Sequence, residues 1–124
     1  MNTLIVFVGG GLGAALRHGI NVASQRLLGA SFPWATLFEN VTGSLVMGLL
    51  AAYFAFKGDA SQPWRLFLTT GILGGYTTFS AFSLDAVSLY ERGAVGLAAL
   101  YVLASVALSI AGLFAGLALA RHLS

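Results

Sequence analysis

The sequence lacks cysteine altogether and is poor in charged residues, and each shortage excludes a class of protein. Without cysteine there is neither a disulfide framework nor a thiolate metal site. Charged residues make up 8% of the 124-residue chain, whereas a soluble domain carries about 25%. The net charge of +2 is too small to predict a nucleic-acid partner. Because 58% of the residues are hydrophobic, a membrane protein is expected.

Turn residues and charges divide the chain into four apolar stretches. The predicted spans cover residues 4–28, 33–56, 64–90 and 94–120, and each exceeds the roughly 20 residues that cross a bilayer as a helix. The connections between them are short, the longest being residues 57–63, so neighbouring helices should run antiparallel. The sequence therefore predicts one all-α domain, residues 1–124, with four transmembrane helices.

No catalytic constellation accompanies these spans. Gly9–Ala14 fits the dinucleotide-binding pattern G-x-G-x-x-A, but the rest of a βαβ unit is missing. His18 and His122 have no nucleophile or acid at a useful spacing. The chain is therefore not expected to be an enzyme.

Positive charges are almost balanced between the two ends of the predicted spans. Because an excess of Lys and Arg in cytoplasmic loops sets orientation, a small bias leaves two outcomes open. The chain inserts in both orientations, which permits an antiparallel dimer, or the weak bias or a partner still fixes one orientation. Lys57, Arg65 and Arg121 lie towards the termini, Arg26 and Arg92 lie at the other end, and Arg17 lies within the first span.

Polar residues recur on two predicted helices at membrane depth, where they are costly and suggest function. In the second span, Asn40 and Ser44 share one helical face. In the fourth span, Tyr101, Ser105 and Ser109 recur every four residues and form a hydroxyl stripe about 12 Å long. Hydrogen bonding between helices is the alternative explanation for these hydroxyl groups.

The third span carries the strongest local signal. Residues 71–83 contain three glycines and five hydroxyl residues. Gly74 and Gly75, followed by two β-branched threonines, are poor helix formers, so the helix is predicted to break between Gly74 and Phe79. Irregular backbone at membrane depth is tolerated only where it is buried in protein or lines a cavity. Phe79 and Phe82 should share a face if the helix resumes there.

In its length, spans and motif order, the whole chain resembles the Fluc/CrcB family of fluoride channels. The matching segments are Gly9–Arg17, Thr36–Ser44 and Gly71–Ser83, and the pattern Gly-Gly-x-Thr-Thr-Phe-Ser-x-Phe-Ser is highly specific to that family. The resemblance implies an antiparallel, dual-topology homodimer with two pores in a bacterial inner membrane. It also implies passive, selective F⁻ flow that protects the cytoplasm from fluoride.

The resemblance further implies roles for individual residues. Arg17 matches an arginine of the pore vestibule. The backbone carbonyl groups of Gly74 and Thr77 match the ligands of a structural Na⁺ shared by both subunits at the two-fold axis. The fluoride pore would be formed by Asn40, Phe79 and Phe82, with Ser80, Tyr101, Ser105 and Ser109 beside them.

Glu39 departs from the family pattern, in which the residue before the asparagine is usually apolar. We expect it to lie in a vestibule, to pair with a nearby arginine, or to be protonated. Glu39 and Asp85 are also the acids that a small multidrug-resistance-type proton-coupled transporter, the main alternative, would use. A third alternative is a non-transporting assembly subunit held together by the close-packing motifs Gly9-x-x-x-Gly13 and Gly112-x-x-x-Gly116.

Overall fold

The computed structural model describes residues 2–57 and 62–123, and every regular element in these two ranges is helical. This confirms the predicted all-α class, while residues 58–61 of the predicted connection lie outside the described residues. The elements are α1 (Asn2–Leu28), α2 (Trp34–Lys57), α3 (Gln62–Arg65), a π-helical segment (Leu66–Leu73), α4 (Gly74–Tyr76), α5 (Phe79–Glu91) and α6 (Val95–Leu123).

Three stretches of helix in the described ranges are long and apolar enough to cross a membrane by themselves. They are Asn2–Leu28, Trp34–Ala55 and Val95–Leu123, which correspond to the first, second and fourth predicted spans. The third predicted span, residues 64–90, is divided among α3, the π-helical segment, α4 and α5. The protein is therefore a multi-pass helical membrane protein, with at least three segments of spanning length.

Glycines in the left-handed conformation end two of the helices. Gly29 has φ +80° after α1, and its N–H donates to the carbonyl oxygen of Gln25 at 3.0 Å. Gly93 has φ +85° after α5, and its N–H donates to Tyr90. The next N–H, that of Ala94, reaches back to the carbonyl oxygen of Leu89 and completes a Schellman motif. These two turns lie at the same points where the sequence predicted breaks between spans.

Helix α1 packs against the π-helical segment and α4 by backbone contact. A Cβ atom on Gly9 would lie 2.8 Å from the carbonyl oxygen of Phe67, and one on Gly13 would collide with the carbonyl oxygen of Ile72. Both glycines are buried. The predicted close-packing role of this glycine pair is confirmed, and its partner is the segment immediately before the predicted break.

Helices α2 and α6 form the other close contact, again through glycine. A Cβ atom on Gly48 would collide with the carbonyl oxygen of Leu113, and one on Gly116 with that of Leu45. A Cβ atom added to Gly112 would lie 3.2 Å from the carbonyl oxygen of Val41. The second predicted glycine motif is confirmed as well. The pairing holds the polar faces of α2 and α6 beside the same space.

A small buried cluster joins α5 to α6 near one end of the molecule. Tyr101 is fully buried, and its ring lies 5.2 Å from that of Phe82 and 5.6 Å, edge-on, from that of Phe32. Leu89 and Ala98 complete the cluster. This packing fixes α5 against α6 and therefore fixes the position of Phe82 relative to the hydroxyl stripe.

Candidate functional site

A cavity of about 410 Å³ lies between α2, α5, α6 and the chain that joins α4 to α5. It brings together five of the predicted pore residues with the two predicted sodium-ligand residues, although they come from three separate predicted spans. The predicted residues in its wall are Asn40, Phe79, Phe82, Ser105, Ser109, Gly74 and Thr77. Ser80, Tyr101 and Arg17 are not in this wall.

Helix α4 ends at Tyr76 and helix α5 begins at Phe79, beside the cavity. Both points lie within the break predicted between Gly74 and Phe79. Thr77 (φ −87°, ψ 155°) and Thr78 (φ −154°, ψ 126°) are extended, while Gly74 remains in the short helix α4. The side chain of Thr77 donates back to the carbonyl oxygen of Leu73 at 2.9 Å. The hydroxyl oxygen of Thr78 accepts from the N–H of Ala81 at 3.2 Å and caps α5. The interruption is therefore two residues long, because α4 continues through both glycines.

Asn40 fastens α2 to this interruption. Its Nδ2 donates to the carbonyl oxygen of Thr78 at 3.1 Å, and its Oδ1 accepts from the N–H of Thr78 at 2.9 Å. The amide of asparagine has two N–H donors, and only one takes part in these bonds. Asn40 thus satisfies the extended backbone and keeps a second donor at the cavity wall.

Arg17 supports the same region from the opposite side. Its Nε donates to the carbonyl oxygen of Gly75 at 3.1 Å, across 58 residues of sequence. The bond satisfies a carbonyl group next to the interruption and places a permanent positive charge beside it. The predicted place of Arg17 in a vestibule stays a prediction.

The two phenylalanines occupy different environments. Phe82 is 9% exposed and packs on Tyr101, whereas Phe79 is 78% exposed. Their ring centroids are 5.5 Å apart at an angle of 47°, so the rings are neither stacked nor parallel. A tilted pair can direct ring edges, which carry partial positive charge, into the same space.

The three residues of the hydroxyl stripe on α6 have different surroundings. Ser105 is buried at the cavity wall and its Oγ has no hydrogen-bond partner among the described residues, while Ser109 is partly exposed there. Tyr101 lies one turn away and donates to Oδ2 of Asp85 at 3.2 Å. Ser80 lies outside the cavity wall, is exposed, and has its Oγ 3.3 Å from Oγ1 of Thr78.

Sequence reasoning did not assign Asp85 a place beside the pore. Asp85 follows Phe82 by three residues, so helical spacing could have placed it on the same face. It contributes to a second cavity of about 340 Å³, at the end of α1 and the start of α2, as does Thr36. Tyr101 contacts one residue from the wall of each cavity: it packs on Phe82 of the main cavity and donates to Asp85 of the second.

Glu39 is fully buried, with 0% of its surface exposed. Neither carboxylate oxygen has a hydrogen-bond partner among the described residues. Glu39 therefore forms no ion pair with an arginine among the described residues, and its place in a vestibule stays a prediction. That Glu39 is protonated stays a prediction.

Polar groups, two aromatic rings and an interrupted helix around a cavity between membrane-type helices define a membrane protein of the channel or transporter class. Comparison with known proteins identifies the family. The family described as CrcB-like protein, Camphor Resistance (CrcB), matches residues 4–117, and the chain belongs to it. The resemblance inferred from the sequence motifs is thus confirmed.

Curated relatives match along the whole chain. A protein of Rhodopseudomonas palustris named fluoride-specific ion channel FluC is 73% identical over 124 residues, which is the full length of both chains. One of Nitrobacter hamburgensis, named fluoride-specific ion channel FluC 2, is 64% identical over the same full length. One of Methylobacterium nodulans, also named fluoride-specific ion channel FluC, is 64% identical and covers 98% of each chain.

Proposed function

We propose that this protein is a fluoride-selective ion channel that lets F⁻ leave the cell passively and so protects the cytoplasm. The observation that carries the proposal is full-length identity of up to 73% to relatives named fluoride-specific ion channels. Ion channels are not enzymes, which confirms the expected absence of an enzymatic activity. The same relatives give the multidrug-transporter alternative no support.

The cavity offers the groups that a small, strongly hydrated anion needs. Among the residues that the structure describes, one N–H of Asn40 stays free and the buried hydroxyl of Ser105 has no competing partner. Phe79 and Phe82 add ring edges of partial positive charge. Each contact is individually weak, which suits conduction, because a site must bind an ion well enough to admit it and weakly enough to release it.

In the same proposal, the stretch from α3 to α5 also crosses the membrane. It is the third of four crossings in chain order. Its extended residues, Thr77 and Thr78, would be tolerated at membrane depth because Asn40 satisfies the backbone of Thr78 and the cavity borders both. Four crossings place both termini on one side. The location would be the inner membrane of a bacterium, since the relatives described are bacterial proteins.

We further propose an antiparallel, dual-topology homodimer. Phe79 supports this arrangement, since a phenylalanine that is 78% exposed beside a polar interruption would be covered by a second copy of the chain. The balanced lysine and arginine count supports insertion in both orientations. The main cavity of each subunit would then form one pore, which gives the dimer two pores.

A structural Na⁺ at the two-fold axis completes the proposal. Gly74 and Thr77 border the main cavity, and the carbonyl oxygen of neither residue accepts any of the hydrogen bonds found across the interruption. Two carbonyl groups from each subunit would offer four hard oxygen ligands and no carboxylate, which suits a monovalent cation. Replacing Na⁺ by N-methylglucamine should lower F⁻ flux in the purified protein, and unchanged flux would argue against the site.

A growth assay tests the proposed function in cells. A bacterium that lacks its own fluoride exporter should regain growth in fluoride medium when it expresses this chain. The variant with both Phe79→Ile and Phe82→Ile, expressed to the same membrane level, should restore growth poorly. Equal growth with an empty vector would contradict the proposal.

A further inference from the structure

The proposed pore does not use one buried ionisable group, the carboxyl of Glu39. It is 0% exposed, and both of its oxygens lack a hydrogen-bond partner among the described residues. Its sequence neighbour Asn40 contributes directly to the wall of the main cavity. A charge at Glu39 would therefore lie close to the path proposed for F⁻.

The surroundings of Glu39 do not compensate such a charge. The observed hydrogen bond of Arg17, on α1, goes to the carbonyl oxygen of Gly75, and Glu39 receives none from it. Asp85, on α5, is an acid and offers no positive charge to Glu39. The Tyr101 hydroxyl on α6 donates to Asp85 and so is not a donor to Glu39. No described group bonds to the Glu39 carboxyl, so a charge buried there would be costly.

A proton fits this environment better than a metal ion does. No group of three or more His, Cys, Asp or Glu side chains that could hold a metal is present among the described residues. A buried carboxyl without donors becomes tolerable when it is neutral, because its cost lies in removing a charge from water. Thr36, three residues before Glu39 on the same helix, borders the second cavity, so that cavity comes within one helical turn of Glu39.

We propose that Glu39 is a proton-binding site that controls fluoride conduction, with the neutral acid conducting and the carboxylate impeding. This inference rests on the proposed channel function. The step is a simple protonation: the carboxylate takes a proton from water that enters the second cavity, and no other bond changes. The ionised form repels F⁻ as it passes Asn40. For two unit charges roughly 10 Å apart at an effective dielectric constant of about 20, the expected effect is about tenfold.

Fluoride efflux from liposomes at different pH values tests the inference. Efflux through the wild-type protein should rise about tenfold between about pH 8 and about pH 5.5, after subtraction of HF leakage through protein-free liposomes. Glu39→Gln should conduct at the higher level across the whole range. The control Glu91→Gln, which changes an exposed acid at the end of α5, should keep the wild-type rise.

Infrared spectroscopy provides a measurement that does not depend on flux. The wild-type protein should show a protonated carboxyl band near neutral pH that persists in Asp85→Asn and is lost in Glu39→Gln. Wild-type efflux that does not change with pH would overturn the inference, as would the absence of that band at every pH. If the wild type shows no F⁻ efflux at all, the proposed function fails, and the band alone decides whether Glu39 binds a proton.

Discussion

The side-chain amide of Asn40 forms two hydrogen bonds with the backbone of Thr78, one as donor at 3.1 Å and one as acceptor at 2.9 Å. This pairing imitates the bonding between neighbouring β-strands at the one place where helix α4 has ended and helix α5 has not begun. It satisfies backbone groups that would be costly to leave unpaired in a membrane. A side chain expected to bind fluoride therefore also holds the interrupted backbone in place.

Changing Asn40 to Asp should damage both roles. The substitution removes the donor to the Thr78 carbonyl group and turns a carboxylate oxygen towards it, so we expect a loss of about 1–3 kcal/mol in stability. Fluoride efflux should fall as well, because the new negative charge repels F⁻. Thermal unfolding in detergent and liposome efflux measure the two effects. Asn2→Asp, in the exposed first turn of α1, is the matched control and should change neither.

The contact between α1 and the π-helical segment makes a second prediction. Gly13→Ala should destabilise the protein by about 1–3 kcal/mol, since the added Cβ atom would collide with the carbonyl oxygen of Ile72. Gly11, two residues earlier on the same helix, has no atom within 4 Å of its added Cβ. Gly11→Ala should stabilise the helix by up to about 1 kcal/mol. Equal melting temperatures for the two variants would contradict this packing.

The aromatic pair makes a third prediction. Phe79→Ile and Phe82→Ile should each lower F⁻ efflux, by up to about tenfold per ring, because an aliphatic side chain has no positively charged edge. Phe82→Ile should also lose about 0.5–3 kcal/mol of stability, since Phe82 is buried against Tyr101. Phe114→Ile, on an exposed part of α6, should leave efflux unchanged. Undiminished flux in the folded double variant would refute the role of the ring edges.

Sequence alone predicted the helices because hydrophobic length and turn residues are local signals. The sequence also predicted a break between Gly74 and Phe79. The structure has Thr77 and Thr78 extended between α4 and α5, and that these elements form one broken transmembrane helix stays a prediction. It did not predict the π-helical segment Leu66–Leu73. That segment is short and apolar over most of its length. It therefore has too little alternation of polar and apolar residues to distinguish a π-helix from an α-helix.

The long-range contacts of the site could not be read from sequence. The bonds from Arg17 to Gly75 and from Asn40 to Thr78 cross 58 and 38 residues, and no helical spacing connects such positions. Glu39 was recognised as unusual from its sequence position. Only the packing around it distinguished between exposure, pairing and isolation.

The proposed dual topology makes a fourth prediction. Ser124→Cys introduces the only cysteine of the chain, and it should react with a membrane-impermeant thiol reagent from both sides of intact membranes. Two lysines inserted after Lys57 should bias insertion and restrict labelling to one side. The same insertion should lower channel activity by breaking the equal mixture of orientations. Labelling of the first variant from one side only would refute dual insertion.

The most direct test of the channel function is anion efflux from liposomes that contain the purified protein and are loaded with either F⁻ or Cl⁻. A passive, fluoride-selective channel predicts rapid F⁻ efflux once a potassium ionophore balances the charge, with Cl⁻ efflux no faster than from protein-free liposomes. Rapid Cl⁻ efflux, or F⁻ efflux no faster than from protein-free liposomes, would contradict the account.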